Sequence, residues 1–440
     1  MTMNRLFLKL GLGAVGLVVG ACAAGSTPQG GSGGQGGVSW SSSKSAGPGG
    51  AGGASDASSS ATEAASSSSV AGSGGQGGQG SSAEVTSSSA AIASSSSTAA
   101  SSGAGGAPPA ERVLLLAGGT TVVAGVLDAG QWSTKSLGGG TNRALAIGAV
   151  SDTLAIGVFR DATTGALSFV KHNGASWTAP AGISMGVTTQ AAPSLAIRGA
   201  AVDVVFHGDD FKHYFASYSG AWAPTAEQVK PVGQDQSFGP SAGAVAVVGQ
   251  ELALAFPGGD GKLYHQSRTL GAWKGAAAHD ASDCEHTPAL VALDQGPELL
   301  LAYVRKADKK LMFATRKAGT WSAPAVLETN SFSSEPPRVT ALPGGEALIV
   351  FRGTDGKPYT SRYEPSKSPP WSLPKPIAAM NPTVASVPAV TRGVDGHVAE
   401  LAYVGTDGKA YHASFDGVAW SMPTSVAGPG LLHVALAATP

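Results

Sequence analysis

Short apolar segments separated by polar turns recur throughout residues 111–440. An apolar run such as ELALAF or EALIVF precedes a turn, and a shorter run that ends in polar residues, such as LYHQSR or PYTSRY, follows it. A further apolar run, such as PSLAIRG or TPALVALD, comes earlier in each unit. None of these segments has a helical apolar period, so the pattern predicts an all-β domain.

Seven tryptophans mark the length of the repeating unit, because they recur every 45 to 51 residues. Gly or Pro usually precedes each one, and Ser or Thr followed by Pro often comes after it. The seven are Trp132, Trp177, Trp222, Trp273, Trp321, Trp371 and Trp420. Each period has room for four short strands, which is the content of one blade of a β-propeller.

A tight turn about thirteen residues before the Trp is the second marker of the repeat. It reads Asp-Gly-Lys at Asp260, Asp355 and Asp407, with altered copies at Asp210 and Asp308. Asp-Gly between two apolar runs predicts a β-hairpin, since Gly tolerates the positive φ of the turn.

The two ends of the repeat region complement each other. The first unit, RVLLLAGG followed by TTVVAGVLD and QWSTKSL, lacks a leading strand, and the tail Leu431–Ala437 is a leading strand with nothing after it. Together they make one blade, so we predict a seven-bladed propeller whose ring is closed by the N- and C-terminal strands. Closure removes the open sheet edge that would otherwise favour aggregation.

The first residues of the chain predict export. Arg5 and Lys9 are followed by a short apolar run that ends in Val-Gly-Ala-Cys at Cys22. The run is too short to cross a bilayer and is typical of a signal peptide. The small residues before Cys22 resemble a bacterial lipobox, which makes residues 1–21 a lipoprotein signal peptide and Cys22 the lipidation site. The alternative is an ordinary secretory signal. With Ala23 after the Cys, the resemblance implies a bacterial cell-envelope protein held by lipid at the outer membrane.

Residues 22–110 consist almost entirely of Gly, Ser and Ala, and Trp40 is their single aromatic residue. Such a segment buries too little apolar surface to offset its chain entropy. We therefore predict a disordered linker that tethers a folded domain, residues 111–440, to the membrane.

Charge and cysteine content narrow the function classes. The formal net charge is −1 and only 13% of residues are charged, so we expect no nucleic-acid partner. Two cysteines exclude a disulfide-rich scaffold, and acylation of Cys22 would leave Cys284 unpaired. Oligomeric state is open.

The last blade, AELAYVGTDGKAYHASFDGVAW, resembles the repeats of fucose-specific fungal lectins and of seven-bladed bacterial lectins of the Photorhabdus type. The resemblance is carried by the Asp-Gly-Lys turn, the strand after it and the Gly-x-Trp segment. It implies carbohydrate binding, with an Arg before the turn and a Glu after it holding fucose in the fungal lectins. The Arg position here holds Asp203, Ala253, Leu301, Leu348 and Glu400, and the Glu position holds Phe215, His265, Phe313, Thr360 and His412. None matches, so the fungal fucose site is not expected here.

The candidate ligand contacts are aromatic residues and histidines. Each Trp either stacks on a sugar ring or packs between blades, and the fixed spacing favours packing. Tyr264, Tyr359 and Tyr411 follow the turns, with His265 and His412 beside two of them. Strand alternation places Tyr and His on opposite faces, so one of each pair could line a groove between blades.

No cofactor, metal site or catalytic residue is predicted. The cluster His279–His286 contains possible metal ligands but matches no ligand spacing, so a solvated loop is the simpler interpretation. A sialidase-like glycosidase would need a cluster of Arg and an acid–base carboxylate, and the arginines here share no repeat position. We therefore expect non-catalytic binding, plausibly of a glycan. A protein-interaction platform and a glycoside hydrolase remain the alternatives.

Overall fold

The computed structural model describes residues 111–230, 243–377 and 384–440, with the side chains of 280–282 left out. The predicted signal peptide, Cys22 and the linker lie outside these residues. Everything described is strand or turn, and the sheets number seven. The described part of the chain holds no helix long and apolar enough to cross a membrane.

The described residues begin in the blade that closes the ring and then form six blades in succession. The first strands are β1 (Val113–Gly119), β2 (Val122–Asp128) and β3 (Gln131–Gly138). Blade I consists of β4 (Ala146–Ser151), β5 (Leu154–Arg160), β6 (Leu167–His172) and β7 (Ala181–Gly182). Blade II consists of β8 (Ser194–Arg198), β9 (Ala201–His207), β10 (His213–Tyr218) and β11 (Glu227–Gln228).

The two middle blades carry a fifth short strand. Blade III consists of β12 (Ala244–Val248), β13 (Glu251–Pro257), β14 (Lys262–Thr269), β15 (Ala272–Trp273) and β16 (Ala277–Asp283). Blade IV consists of β17 (Ala289–Ala292), β18 (Leu299–Val304), β19 (Leu311–Lys317), β20 (Thr320–Trp321) and β21 (Ala325–Val326). In both, the fifth strand pairs with the third strand of its blade.

The last blades return to the four-stranded plan. Blade V consists of β22 (Arg338–Leu342), β23 (Glu346–Arg352), β24 (Pro358–Tyr363) and β25 (Lys375–Pro376). Blade VI consists of β26 (Ala389–Arg392), β27 (Ala399–Val404), β28 (Ala410–Phe415) and β29 (Thr424–Ala427). The final strand β30 (Leu431–Ala438) joins β1, β2 and β3 to complete blade VII.

Ring closure by the two ends is confirmed by the strand register. β30 pairs antiparallel with β1, from Val113 opposite Ala438 to Gly119 opposite Leu431. Beyond the paired segment, the Arg112 N–H donates to Thr439 Oγ1 at 2.9 Å. The first strands of blades I to VI and β30 contact one another in succession, and β30 contacts β4. The prediction of a seven-bladed closed wheel is therefore correct.

The apolar core lies between the blades. The second strand of a blade is covered on both faces by its neighbours, which is why all residues of β18 and of β27 are buried. A strand buried on both faces reads as a continuous apolar run. The sequence runs LLLAYV and ALIVF have this form.

Candidate functional site

The repeated Trp residues lie at the junctions between blades. At five of the seven junctions, the Trp of one blade meets an aromatic ring on the third strand of the blade before it. The pairs are Phe169–Trp222, Phe215–Trp273, His265–Trp321, Phe313–Trp371 and His412–Trp132, with ring centroids 5.1 to 5.9 Å apart. These distances are typical of edge-to-face aromatic packing. The structure therefore places these Trp side chains as wedges between blades.

The remaining two Trp have no such partner ring. Trp177 packs instead into an apolar cluster with Leu114, Leu116 and Ala124 of blade VII and is 6% exposed. Trp420 packs on Phe415 of its own blade and on Leu348 of blade V. The indole N–H is buried without a hydrogen-bond partner among the described residues in every repeated Trp except Trp321. A ligand at these residues would therefore meet ring carbons and not the N–H.

The tyrosines that follow the turns hold those turns in shape. The hydroxyls of Tyr264, Tyr359 and Tyr411 donate to the turn Asp at 2.7 to 3.0 Å. Each ring also stacks on the aromatic residue that ends the preceding strand. The first Gly of the turn lies beneath the ring, since a Cβ on Gly353 would come within 2.7 Å of the Tyr359 ring. These hydroxyls already have acceptors, so the geometry gives the tyrosines a structural part.

The two candidate histidines are also enclosed. His412 is 6% exposed. Its Nε2 is hydrogen-bonded to the Glu400 carboxyl at 2.9 Å, and its ring packs edge-to-face with Trp132. His265 lies against Trp321 and the ring of His279. Burial, assisted by the charges of His279 and Arg316, lowers the pKa of His265 to about 4. His412 is thus buried and His265 half-buried in the packing between blades.

The strand register shows which residues occupy the position of the fungal arginine. On the second strands of blades II to VI they are Asp203, Ala253, Leu300, Leu348 and Glu400. Blade IV thus differs by one residue from the sequence-based alignment, which chose Leu301, because its turn is one residue longer. The two acids are buried and paired: Asp203 with Arg198 at 2.7 Å, and Glu400 with two histidines at 2.9 and 3.0 Å.

The junction of blades V and VI lacks this aromatic packing and is open beside its Trp. Blade V carries Thr360 where five other blades carry the ring that receives the next Trp. The result is a groove of about 360 Å³ between blades V and VI, with Leu348, Thr360 and Trp420 in its wall. We call it the V/VI groove.

The V/VI groove combines an apolar floor with a polar rim. Leu348, Phe415 and Trp420 form apolar surface, and the rim carries three charged side chains and three hydroxyls: Arg362, Glu364, Lys375, Thr360, Ser361 and Ser372. This mixture of a broad apolar surface and few polar groups is typical of small-molecule sites.

Most of the rim is held in place by neighbouring groups. Arg362 forms an ion pair with Glu346 at 2.5 Å, and Glu364 pairs with Lys367 at 2.7 Å. Ser361 donates to the carbonyl of Ser372 at 2.6 Å. The Lys375 side chain makes no hydrogen bond or ion pair to a described residue, so its ammonium is available to a ligand.

The opposite wall of the groove is a tight turn. Asp416 Oδ1 accepts the N–H groups of Val418 and Ala419, both at 2.7 Å, and Gly417 has a φ of 101°. Val418 at its tip is 88% exposed and lies at the groove. A rigid turn with an exposed apolar tip offers a ligand a fixed surface at little entropic cost.

The cluster around Cys284 is structural. Cys284 is 2% exposed and its thiol donates to the His286 carbonyl at 3.0 Å. Thr189 and Ser333 make the same contact to the residue two positions on in their own blades. Burial raises the pKa of the Cys284 thiol to about 12. Within the described ranges, no group of three His, Cys, Asp or Glu side chains is placed to hold a metal ion.

Sequence reasoning named Trp420 but missed the residues around it. Thr360 was visible as the one non-aromatic member of the set Phe215, His265, Phe313, Thr360 and His412, and that signal pointed to the open junction. Nothing in the repeat indicated that Arg362, Glu364 and Lys375 share the groove, because they come from separate strands and loops.

Comparisons with known proteins identify relatives of the fold. No protein-family model and no curated protein matches this chain. The lectin BP39L from Burkholderia pseudomallei matches with a TM-score of 0.58 at 16% identity, over 72% of this chain and 96% of that one. AofleA from Arthrobotrys oligospora matches with a TM-score of 0.50 at 13% identity, over 68% and 89%. At such identities the likeness bears on the fold alone.

Proposed function

We propose that the propeller binds carbohydrate without catalysis, and that the V/VI groove is the binding site. The observation that carries the proposal is the exchange of an aromatic ring for Thr360, which leaves the Trp420 junction open. The partly accessible Trp420 and the exposed Val418 suit the carbon face of a sugar ring, while the hydroxyls and Lys375 suit its hydroxyl groups.

Two further points support this proposal. The bacterial protein BP39L, which shares the fold, is a lectin by its name. The buried acids Asp203 and Glu400 are hydrogen-bonded to Arg198 and to histidines and do not line the V/VI groove, which leaves them unsuited to acid–base work on a glycoside bound there. Binding is therefore favoured over hydrolysis.

The test is a glycan array probed with the labelled full chain, followed by calorimetry with the sugar that binds. Thr360→Phe restores the aromatic ring found at five other junctions and fills the groove. We expect this variant to lose at least tenfold in affinity. Its free energy of unfolding should stay level or rise by about 1 kcal/mol, the value of an aromatic pair.

The matched control is Thr134→Phe, which adds the same ring at an exposed position of β3 in blade VII. It should bind as the unaltered protein does. Retention of full affinity by Thr360→Phe would place the sugar elsewhere. Absence of any glycan signal, or turnover of a fluorogenic glycoside, would contradict the lectin proposal.

We also propose that the chain is a lipid-anchored protein of the bacterial cell envelope, with acylated Cys22 as its anchor and residues 22–110 as the tether. The lipobox-like segment supports this, and two or more acyl chains would give stable membrane attachment. Cys22→Ala should move the protein from the detergent phase to the aqueous phase. An unchanged distribution would contradict the anchor.

A protein-interaction platform is the second candidate. Its support is the exposed apolar side chains Leu373, Val418 and Met422 in blades V and VI, which are 68%, 88% and 76% exposed. Substitution of Leu373 and Met422 by Ser would weaken a protein partner's binding. It would leave sugar binding in the groove intact, because neither residue lines the groove.

A further inference from the structure

The axis of the propeller carries a cavity that no proposed sugar site uses. It measures about 270 Å³, and its walls come from the beginnings of the first strands of blades I to V. The walls are Ala, Gly, Leu, Val and Pro, with Ser194 and Thr287 as the polar members, and Arg338 is the single charged residue among those that line it. A charged group in such surroundings needs a counter-charge or water.

Arg338 breaks a repeat position that is otherwise small. The first strands of six blades can be aligned through their pairing with the second strand. Near its end, each second strand carries an aromatic residue, and the aligned position is the first-strand residue opposite the residue just before it. These residues are Ala146, Ser194, Ala244, Ala289, Arg338 and Ala389. Five blades therefore place a small side chain where blade V places a guanidinium, so the fold itself does not require the charge.

The guanidinium of Arg338 makes no hydrogen bond or ion pair to any described residue, and burial lowers its pKa. Glu335 is the carboxylate that acts on it, but Glu335 is already paired with Arg352 at 2.7 Å. Arg338 is half-buried, so its charge is partly removed from water, and a ligand of opposite charge would offset that cost.

Other positive groups add to the potential at the same place. Arg338 and Arg143, from blades V and I, both lower the pKa of His433 in β30, so the fields of the two guanidinium groups reach the same imidazole. The Arg143 Nε–H donates to the Gln190 carbonyl at 2.7 Å, which holds that side chain in place. Apart from Arg338 the axial cavity is lined by neutral groups, and Arg143 is a second cation that acts on the same His433.

We propose that the axial cavity binds a compact oxyanion, a carboxylate or phosphate group, through the guanidinium of Arg338. Arg suits this task because its planar fork of N–H groups matches two oxygens of a carboxylate or phosphate. Two sources share this chemistry, free phosphate and a small carboxylic acid, and separate titrations distinguish them.

The test measures anion affinity of the full chain by calorimetry with sodium phosphate and, separately, sodium acetate, at ionic strength held constant with sodium chloride. Arg338→Ala installs the residue found at this position in four other blades, so it should fold. We expect at least a tenfold loss of affinity for whichever anion binds. Thermal unfolding should show the anion raising the Tm of the unaltered protein and leaving that of Arg338→Ala unchanged.

The control is Lys317→Ala, which removes one positive charge from an exposed end of β19 and should retain anion binding. Three results would overturn the proposal. They are no binding of either anion, equal binding by Arg338→Ala, or a marked loss of stability in Arg338→Ala without anion, since that loss would mean that the arginine has an internal partner.

Discussion

Two neighbouring junctions of the same propeller show what one residue decides. At the junction of blades IV and V, Trp371 meets Phe313 at 5.7 Å and is 3% exposed. At the junction of blades V and VI, Trp420 occupies the matching position, but Thr360 replaces the ring and a groove of about 360 Å³ remains. The same wedge residue therefore acts as core at one junction and as groove wall at the next. Periodicity alone does not separate closed from open copies.

The strongest test of this contrast removes each wedge. We expect Trp371→Ala to lower the free energy of unfolding by about 4 kcal/mol, because it leaves a large cavity in a packed interface. Trp420→Ala should cost about 2 kcal/mol, since part of its surroundings is already open. Urea unfolding followed by circular dichroism measures both. Equal losses of free energy of unfolding in the two variants would mean that Trp420 is packed as tightly as Trp371 despite the groove.

The reciprocal change converts the closed junction into the open one. Phe313→Thr reproduces the residue of blade V in blade IV, and we expect it to cost about 3 kcal/mol. It should also expose Trp371, which acrylamide quenching of Trp fluorescence would detect. An unchanged quenching constant would mean that neighbouring side chains collapse into the space. Thr134→Phe, distant from this junction, serves as the unaffected control.

The smallest expected effect concerns pH at the junction of blades III and IV. His265 occupies the ring position there, with Trp321, His279 and Arg316 around it, and its pKa is about 4 against an ordinary value of 6.5. Between these two values the unfolded chain binds a proton that the folded chain does not. Stability contributed by the neutral imidazole is therefore present above pH 6.5 and is lost as the pH falls towards 4.

His265→Phe should reduce the loss of folding stability at acid pH, because Phe cannot titrate. Phe already occupies the same position in blades II and IV. The measurement is the urea midpoint at pH 7 and pH 5 for the variant and the unaltered protein. Phe313→His is the matched reverse change and should steepen the loss. An equal change of the urea midpoint between pH 7 and pH 5 in all three proteins would contradict this prediction.

The sequence predicted part of the candidate site, and the residues that it did not predict come from different blades. The Trp and Tyr positions followed from the repeat, but the repeat could not say which copies lie open. Arg362 and Lys375 reach the groove from β24 and β25, while Trp420 comes from the next blade. Their convergence depends on how adjacent sheets pack, and no local pattern encodes that distance.

The sequence by itself determined the number of blades, the positions of their strands and the pairing of the two ends. It did so because strand alternation, Asp-Gly turns and continuous apolar runs are local consequences of burial and turn geometry. Only the tertiary structure decided that the Thr360 junction is open and that Arg338 lines the axial cavity with no partner among the described residues. Both depend on contacts between residues that are far apart in the chain, and a side chain's surroundings there are set by packing and not by its own sequence neighbours.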